Sequence, residues 1–194
     1  CPDPPGPQWC LSSHTERPPS GGLHLKWAPI VTNWQDLHRG LQWQNEAPSV
    51  RSYLPRSSEE EPGRWKWARL LMKGRQEFNF VCESFVPQGG SDQPTWSEWL
   101  RVHETQVGTP FAAVLGDPVF LSFTPTEQRE FFKALGWNVV AIPIALAKAD
   151  EALGVLTAWG LRASAVTSPL KTWAYSISNA SPEARALESV NTLA

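Results

Sequence analysis

From residue 110 onward the chain alternates short apolar runs with helix-period segments, and that alternation restricts what it can fold into. Residues 111–115 (FAAVL) read as a buried strand, closed by Gly116-Asp117-Pro118. Residues 125–135 read as a helix, with Thr124 as N-cap, Pro125 at the first helical position and Gly136 as the stop. Residues 138–144 are a second apolar run, in which Pro143 argues for an edge strand or a strand end. Residues 147–159 are helical and Gly160 closes them; residues 162–167 form a third strand. Residues 170–177 and 182–188 read as short helices. Strands separated by single helices and short connections imply an α/β layer with a parallel sheet, because parallel neighbours need a crossover between them.

The first half has a different texture. Of 18 prolines ten lie in residues 1–62, and of 11 tryptophans eight lie in residues 1–99. Residues 8–13 and 23–28 look like strands, separated by the breaker cluster RPPSGG. Residues 34–45 suit a helix capped by Asn33, with Trp34, Leu37 and Leu41 on one face. Residues 64–75 and 96–103 also read as helices, and residues 77–82 as a strand. The expected fold class is therefore α/β: part of a (β/α) barrel over residues 1–108, then an open three-layer α/β domain with a mainly parallel sheet over residues 109–194.

Charge and cysteine usage exclude several functions. Seventeen Lys and Arg against 19 Asp and Glu give a net charge of −2, so no nucleic-acid footprint is expected. No apolar run reaches the roughly 18 residues of a membrane span. Cys1, Cys10 and Cys82 show neither a metal spacing nor a pairable pattern, which suits a reducing, cytoplasmic setting. The opening CPDPPGPQWC has no basic or apolar leader region, and both ends read as cuts inside a longer chain. The acidic run Glu59-Glu60-Glu61 reads as a solvated loop, and His24, His38 and His103 lack metal spacing and receive no role.

In open α/β sheets, ligands sit where strands end. Three segments of the second half carry polar residues there. GDPVFLSFTP (116–125) presents Ser122 and Thr124 at a helix start. AVTSPLK (165–171) ends a strand at Thr167 and places Lys171 in the first turn of a helix, where a cation opposes the helix dipole. SPEARALESVNTL (181–193) puts Asn191 and Thr192 after a helix. Each alone reads as a cap, a surface lysine or a turn. Together, in this order, they resemble the substrate-binding domain of shikimate dehydrogenase, whose segments are written G-N-P-I-x-H-S-x-S-P, N-V-T-x-P-x-K and A-x-G-A-V-N-T-L.

The resemblance implies that Ser122 and Thr124 hold a substrate carboxylate and that Thr167 and Asn191 bond ring hydroxyls. It makes Lys171 the catalytic lysine beside the hydroxyl that is oxidised. Ala165, Asp117, Leu121 and Thr124 depart from the family's Asn, Asn, His and Ser. The family's catalytic Asp lies beyond the V-N-T segment. No G-x-G-x-x-G occurs, so NADP would be bound by a domain outside these residues, and this piece alone is expected to be inactive.

The first half is similar to the C-terminal part of a type I 3-dehydroquinate dehydratase, through LSSHTERPP (11–19), LHLKWAP (23–29), FNFVCESF (78–85) and SDQPTWSEWL (91–100). By that resemblance His14 is the proton-transfer base, Lys26 the imine-forming nucleophile and Gln93 a ligand contact; Arg69 or Arg64 binds the carboxylate. Leu25 and Trp27 on either side are expected to desolvate Lys26. The 12 positions from His14 to Lys26 are short for a strand, helix and turns.

The implied function is enzymatic: NADP-dependent reduction of 3-dehydroshikimate to shikimate, fused to 3-dehydroquinate dehydration, in aromatic amino-acid biosynthesis. The partners are these small molecules, with no nucleic acid, membrane or metal. The alternatives are a fusion whose dehydratase half is degenerate, and a non-catalytic sensor of quinate or shikimate.

Overall fold

The computed structural model describes residues 8–12, 23–83, 92–119 and 124–194, without the side chains of 8–12 and 124–127. The chain divides into two compact units, Cys1–Val107 and Gly108–Ala194.

In the first unit the strands are β1 (Gln8–Ser12), β2 (Leu25–Trp27), β3 (Arg51–Tyr53) and β4 (Phe78–Cys82), with helices α1 (Trp34–Asn45), α2 (Lys66–Leu71) and α3 (Trp96–Leu100). Helix α1 starts where the sequence indicates, because the Asn33 side chain accepts the Asp36 N–H at 2.8 Å. It buries Trp34, Leu37, Gly40, Leu41 and Gln44. Gly40 is required there, since a Cβ would overlap the Tyr53 ring. Trp34 packs edge-on against Trp65 at 5.1 Å and faces Trp67 at 5.9 Å. The Trp65 indole N–H donates to the Val31 carbonyl at 2.7 Å. Trp34, Trp65, Trp67 and Trp99 thus belong to the core, at about 4–6 kcal/mol of gross apolar burial per ring, whereas Trp27 and Trp96 are exposed. Helix α3 carries a full capping box between Thr95 and Glu98.

The barrel wall expected for residues 1–108 does not form among the described residues. β1 and β4 pair antiparallel, whereas barrel strands all run parallel, and β2 and β3 make a separate two-stranded parallel sheet.

The second unit is an open α/β sheet with the order β6-β5-β7-β8. Its strands are β5 (Phe111–Gly116), β6 (Asn138–Pro143), β7 (Leu161–Val166) and β8 (Thr192–Leu193). Helices α4 (Thr124–Lys133), α5 (Ala149–Trp159), α6 (Lys171–Ile177) and α7 (Pro182–Leu187) connect them. β5, β6 and β7 are parallel and β8 returns antiparallel along β7. Every residue of β5 is buried, as a central strand covered on both faces requires. β6 is an edge strand ending on Pro143, so the missing amide costs no ladder bond inside the sheet. Gly136 (φ 69°) and Gly160 (φ 109°) both adopt the left-handed conformation that stops a helix.

Candidate functional site

The loops at the C-terminal ends of β5 and β7 are drawn together by main-chain bonds. Thr167 N–H donates to Leu115 O at 2.9 Å, Asp117 N–H to Ser168 O at 3.1 Å, and Ile144 N–H to Gly116 O at 2.9 Å. The approach is so close that a Cβ on Gly116 would overlap Thr167 Cγ2 and stand 2.9 Å from the Ser168 carbonyl oxygen. Asp117-Pro118 and Ser168-Pro169 are cis peptides. Leu170 N–H then donates to Thr167 O at 2.9 Å, forming the turn from which α6 starts at Lys171.

The last segment is fixed to the same place. Val190 N–H donates to Lys171 O at 3.2 Å, and Val166 N–H to Asn191 O at 2.8 Å. Three segments that are separate in sequence thereby converge: the end of β7 with Thr167, the start of α6 with Lys171, and the approach to β8 with Asn191. Thr167 is half-buried; Lys171 and Asn191 are exposed. Asn191 Oδ1 accepts from Thr192 Oγ1 at 3.2 Å. Among the described residues Lys171 Nζ has no hydrogen-bond or ion-pair partner. Trp173, in the first turn of α6, donates its indole N–H to Asp150 Oδ1 on α5 at 2.9 Å, which braces the helix start.

Beside this cluster lies an open cleft of about 1040 Å³, lined by Arg162, Ser164, Lys171, Glu183, Leu187 and Asn191 among others. Thr167 does not line it. The cleft is far larger than one ring acid, so the loop cluster locates the chemistry better than the cleft volume does. Arg162 and Ser164 were not singled out from sequence. Ser164 is 3% exposed and its Oγ has no partner. The available signal is the period-2 alternation of β7, which puts residues 162 and 164 on one face.

Of the other site residues expected from sequence, His14 and Ser122 lie outside the described residues. Thr124 is the first residue of α4, one position later than the cap role expected for it, and its side chain lies outside the described residues. Lys26, Arg69 and Gln93 belong to the first unit. Lys26 is not desolvated as expected. All of β2 is exposed, with Leu25 at 43% and Trp27 at 41%, and Lys26 Nζ stands 4.1 Å above the Phe80 ring. Apolar neighbours in sequence alternate across a strand and do not wall in the residue between them.

Arg69 is buried and occupied. Its Nε donates to Pro55 O at 3.0 Å and a terminal nitrogen to Leu54 O at 3.4 Å. Burial pulls its pKa down to about 10, against the pull of Asp92 and with a smaller push from Arg56. Arg64 pairs with Glu61 and covers the Trp65 ring at 4.6 Å. The Gln93 amide donates to Val81 O at 2.8 Å, so it clips β4 to its neighbouring loop. Its neighbour Asp92 accepts from the Ser57 N–H and hydroxyl and from Trp65 N–H at 2.9 Å. These contacts make the 92–93 segment a structural tie.

Among the described residues no group of three His, Cys, Asp or Glu could hold a metal ion. No helix of those residues is long and apolar enough to cross a membrane. The residues present do not fit a dinucleotide: the sequence has no G-x-G-x-x-G, and β5 and β7 run into proline turns, not glycine-rich ones.

No curated protein matches the chain. Similar solved structures include the Mycobacterium tuberculosis shikimate dehydrogenase, at 27% identity and a TM-score of 0.40, over 44% of this chain and 34% of that one. They also include the Thermus thermophilus shikimate 5-dehydrogenase in complex with shikimate, at 30% identity and a TM-score of 0.39, over 43% and 33%. The chain thus spans about a third of the length of these structures. Residues 114–193, the stretch that carries Thr167, Lys171 and Asn191, match the family model of the shikimate dehydrogenase substrate binding domain.

Proposed function

We propose that the second unit binds a polyhydroxylated ring acid of the shikimate class, and that Lys171 moves the proton of the hydroxyl being oxidised. The observation that carries this reading is the pair of main-chain bonds Val190 N–Lys171 O and Val166 N–Asn191 O. They bring Thr167, Lys171 and Asn191 to one end of the parallel sheet within the family-matched stretch. Thr167 and Asn191 suit ring hydroxyls, as both can donate and accept. Ser122 and Thr124 are assigned the carboxylate by the family motif. Lys171 starts a helix whose dipole disfavours a cation, and its free ammonium suits an oxygen that gains negative charge as its proton leaves. In a longer protein this would serve NADP-dependent reduction of 3-dehydroshikimate to shikimate; the Thermus enzyme has been solved with NADP(H) and shikimate. That cofactor supplies hydride when bound, and this chain's residues bind, orient and exchange the proton.

Calorimetric titration of shikimate into the protein tests the reading. Saturable binding that Thr167→Val and Asn191→Ala each weaken by about tenfold, one lost hydrogen bond's worth, is expected; no binding by the unaltered chain refutes it. A binding-only sensor is the second reading, favoured by Ala165, which pairs with Thr192 and offers no polar side chain. It is distinguished by turnover in the full-length protein, which Lys171→Ala abolishes only if the enzyme reading holds.

For the first unit, 3-dehydroquinate dehydration rests on Lys26, an exposed amine over an aromatic ring. Borohydride trapping of dehydroquinate on Lys26 is the expected result. A chain left unmodified at Lys26 removes that activity from the reading without touching the second unit.

A further inference from the structure

The cleft beside Lys171 has a second cation that the ring-acid reading leaves unused. Arg162 lies on β7, five residues before Thr167, and lines the cleft together with Ser164. The register of β7 against β5 explains its placement. Phe111 pairs with Leu161 and Ala112 with Ala163, so Arg162 is the extra residue of a bulge. β8 pairs only with Ser164 and Ala165, so Arg162 has no strand partner on that side either. A bulge of this kind bends its strand and re-aims the side chain it carries, here one that lines an open cleft.

The Arg162 side chain is exposed and makes no ion pair among the described residues. Its one polar contact is a 3.5 Å approach to Leu161 O, the carbonyl of the preceding residue. Ser164, on the same face of β7, is 3% exposed, and its hydroxyl has no partner. A buried hydroxyl without a partner costs stability, and in a cleft wall it is a donor open to a ligand. Besides Arg162 and Lys171, the charged side chain on the cleft is Glu183. Its own main-chain N–H and the Ser181 hydroxyl hold its carboxyl below the usual range, so it stays ionised and engaged at the start of α7.

The spacing selects a ligand class. Asn191 O accepts the Val166 N–H, so Asn191 lies beside Val166, four residues along β7 from Arg162. Four strand residues span about 13 Å. An arginine side chain leaning along its strand covers about 6 Å of that, which leaves about 7 Å between its fork and the Asn191 end. A six-membered ring carrying one phosphate ester is about 7 Å long, whereas the ring alone falls short.

We propose that the second unit accepts a phosphate monoester of its ring acid, with Arg162 binding the phosphate and Ser164 as a further donor. This rests on the ring-acid reading of Thr167, Lys171 and Asn191. The ring lies at the Asn191 and Lys171 end, and the phosphate on one ring hydroxyl reaches the bulge. Arginine suits that place, because its planar fork donates two parallel bonds to phosphate oxygens. Arg162 thereby distinguishes the ester from the free ring acid.

The test is calorimetric titration of shikimate and of shikimate 3-phosphate into the whole chain. The ester is expected to bind at least tenfold tighter, the worth of one charge-assisted pair. Arg162→Gln should bring the ratio of the two affinities to about one, and Arg162→Lys should keep only part of it, since an ammonium lacks the fork. Higher ionic strength should shrink the ratio. Ser164→Ala should lower the ratio by a smaller factor and raise the melting temperature, because the hydroxyl it removes bonds nothing in the fold; a purely structural serine would lower that temperature. Equal affinity for the two ligands overturns the proposal and leaves the ring-acid reading standing. A ratio that Arg162→Gln does not change overturns it as well. Failure of both ligands to bind removes the ring-acid reading and this proposal together.

Discussion

Gly116→Ala offers the sharpest check on how the fold makes the loop cluster. Gly116 is not at a positive φ, so alanine costs nothing through the backbone. The whole penalty is steric. The new methyl would overlap Thr167 Cγ2 and meet the Ser168 carbonyl oxygen at 2.9 Å, one a methyl on a short side chain and the other main chain. The Ser168 carbonyl cannot move without straining the Asp117 N–Ser168 O bond, and the Thr167 methyl clears the new group only by leaving its rotamer. Overpacking of this kind costs about 1–3 kcal/mol. Losing one of those bonds adds about 1 kcal/mol. For a unit of this size each kcal/mol is worth about 4–8 °C of melting temperature. Gly154 is the matched control. It lies inside α5 with open space around its Cα, so Gly154→Ala should stabilise by about 0.5–1 kcal/mol through helix propensity. Differential scanning calorimetry of the two variants beside the parent is the assay. Gly116→Ala should also weaken shikimate binding, because the Thr167 side chain is displaced. A Gly116→Ala chain that melts with the parent and binds shikimate equally well would refute the reasoning. So would a Gly154→Ala chain destabilised as much as Gly116→Ala.

Three further outcomes follow from the same contacts. Trp173→Phe removes the indole donor to Asp150 and should cost about 1 kcal/mol in denaturant unfolding while weakening shikimate binding; intact binding would separate that brace from the site. Arg69→Met keeps the buried stem but orphans two carbonyls, so about 1–3 kcal/mol per unpaired group should be lost, with no change in shikimate binding; an unchanged denaturation midpoint would contradict its structural role. Burial, with Asp36 adding to it, pushes the Tyr53 phenol well above its ordinary range. Because its folded pKa is raised, the stability tied to it is present below pH about 10 and declines as the pH climbs toward the folded value. Absorbance titration at alkaline pH should show Tyr53 ionising only as the first unit unfolds, a late step that Tyr53→Phe deletes.

What could be read from the residues, and what could not, divides by range. α1 was expected over residues 34–45 and spans Trp34–Asn45, because a cap and an amphipathic stripe are local signals. Pro143 at the end of an edge strand is equally local. β3 and β8 carry no readable signal, because three and two residues are too few to show a period; they form through their partners β2 and β7. Lys26 differs from expectation for the opposite reason: its sequence neighbours have core character, but β2 is exposed along its length and pairs only with β3 among the described residues. The contacts of His24 with Ser52 and Glu77 join residues 28 and 53 positions apart, and no spacing rule finds those.

The same contrast explains why the second unit's site is legible and the first unit's is not. In the second unit each candidate sits at the junction of a strand and a helix, where turn chemistry and function use the same few residues. Pro169, Thr167 and Gly116 are needed for the turn whether or not a ligand binds, so their presence alone decides nothing. Lys171 is different. It opens α6, where a cation opposes the dipole at a cost of about 0.3–1 kcal/mol, and among the described residues no carboxylate offsets it. Exposed helix starts normally place Asp, Glu or Ser there, and α5 and α7 do, with Asp150 and Glu183 in their first turns. α2 also opens on a lysine, but Lys66 pairs with Glu98 at 3.4 Å; Lys171 has no such partner among the described residues, and its loops draw it toward Thr167 and Asn191, where it would meet an anionic oxygen.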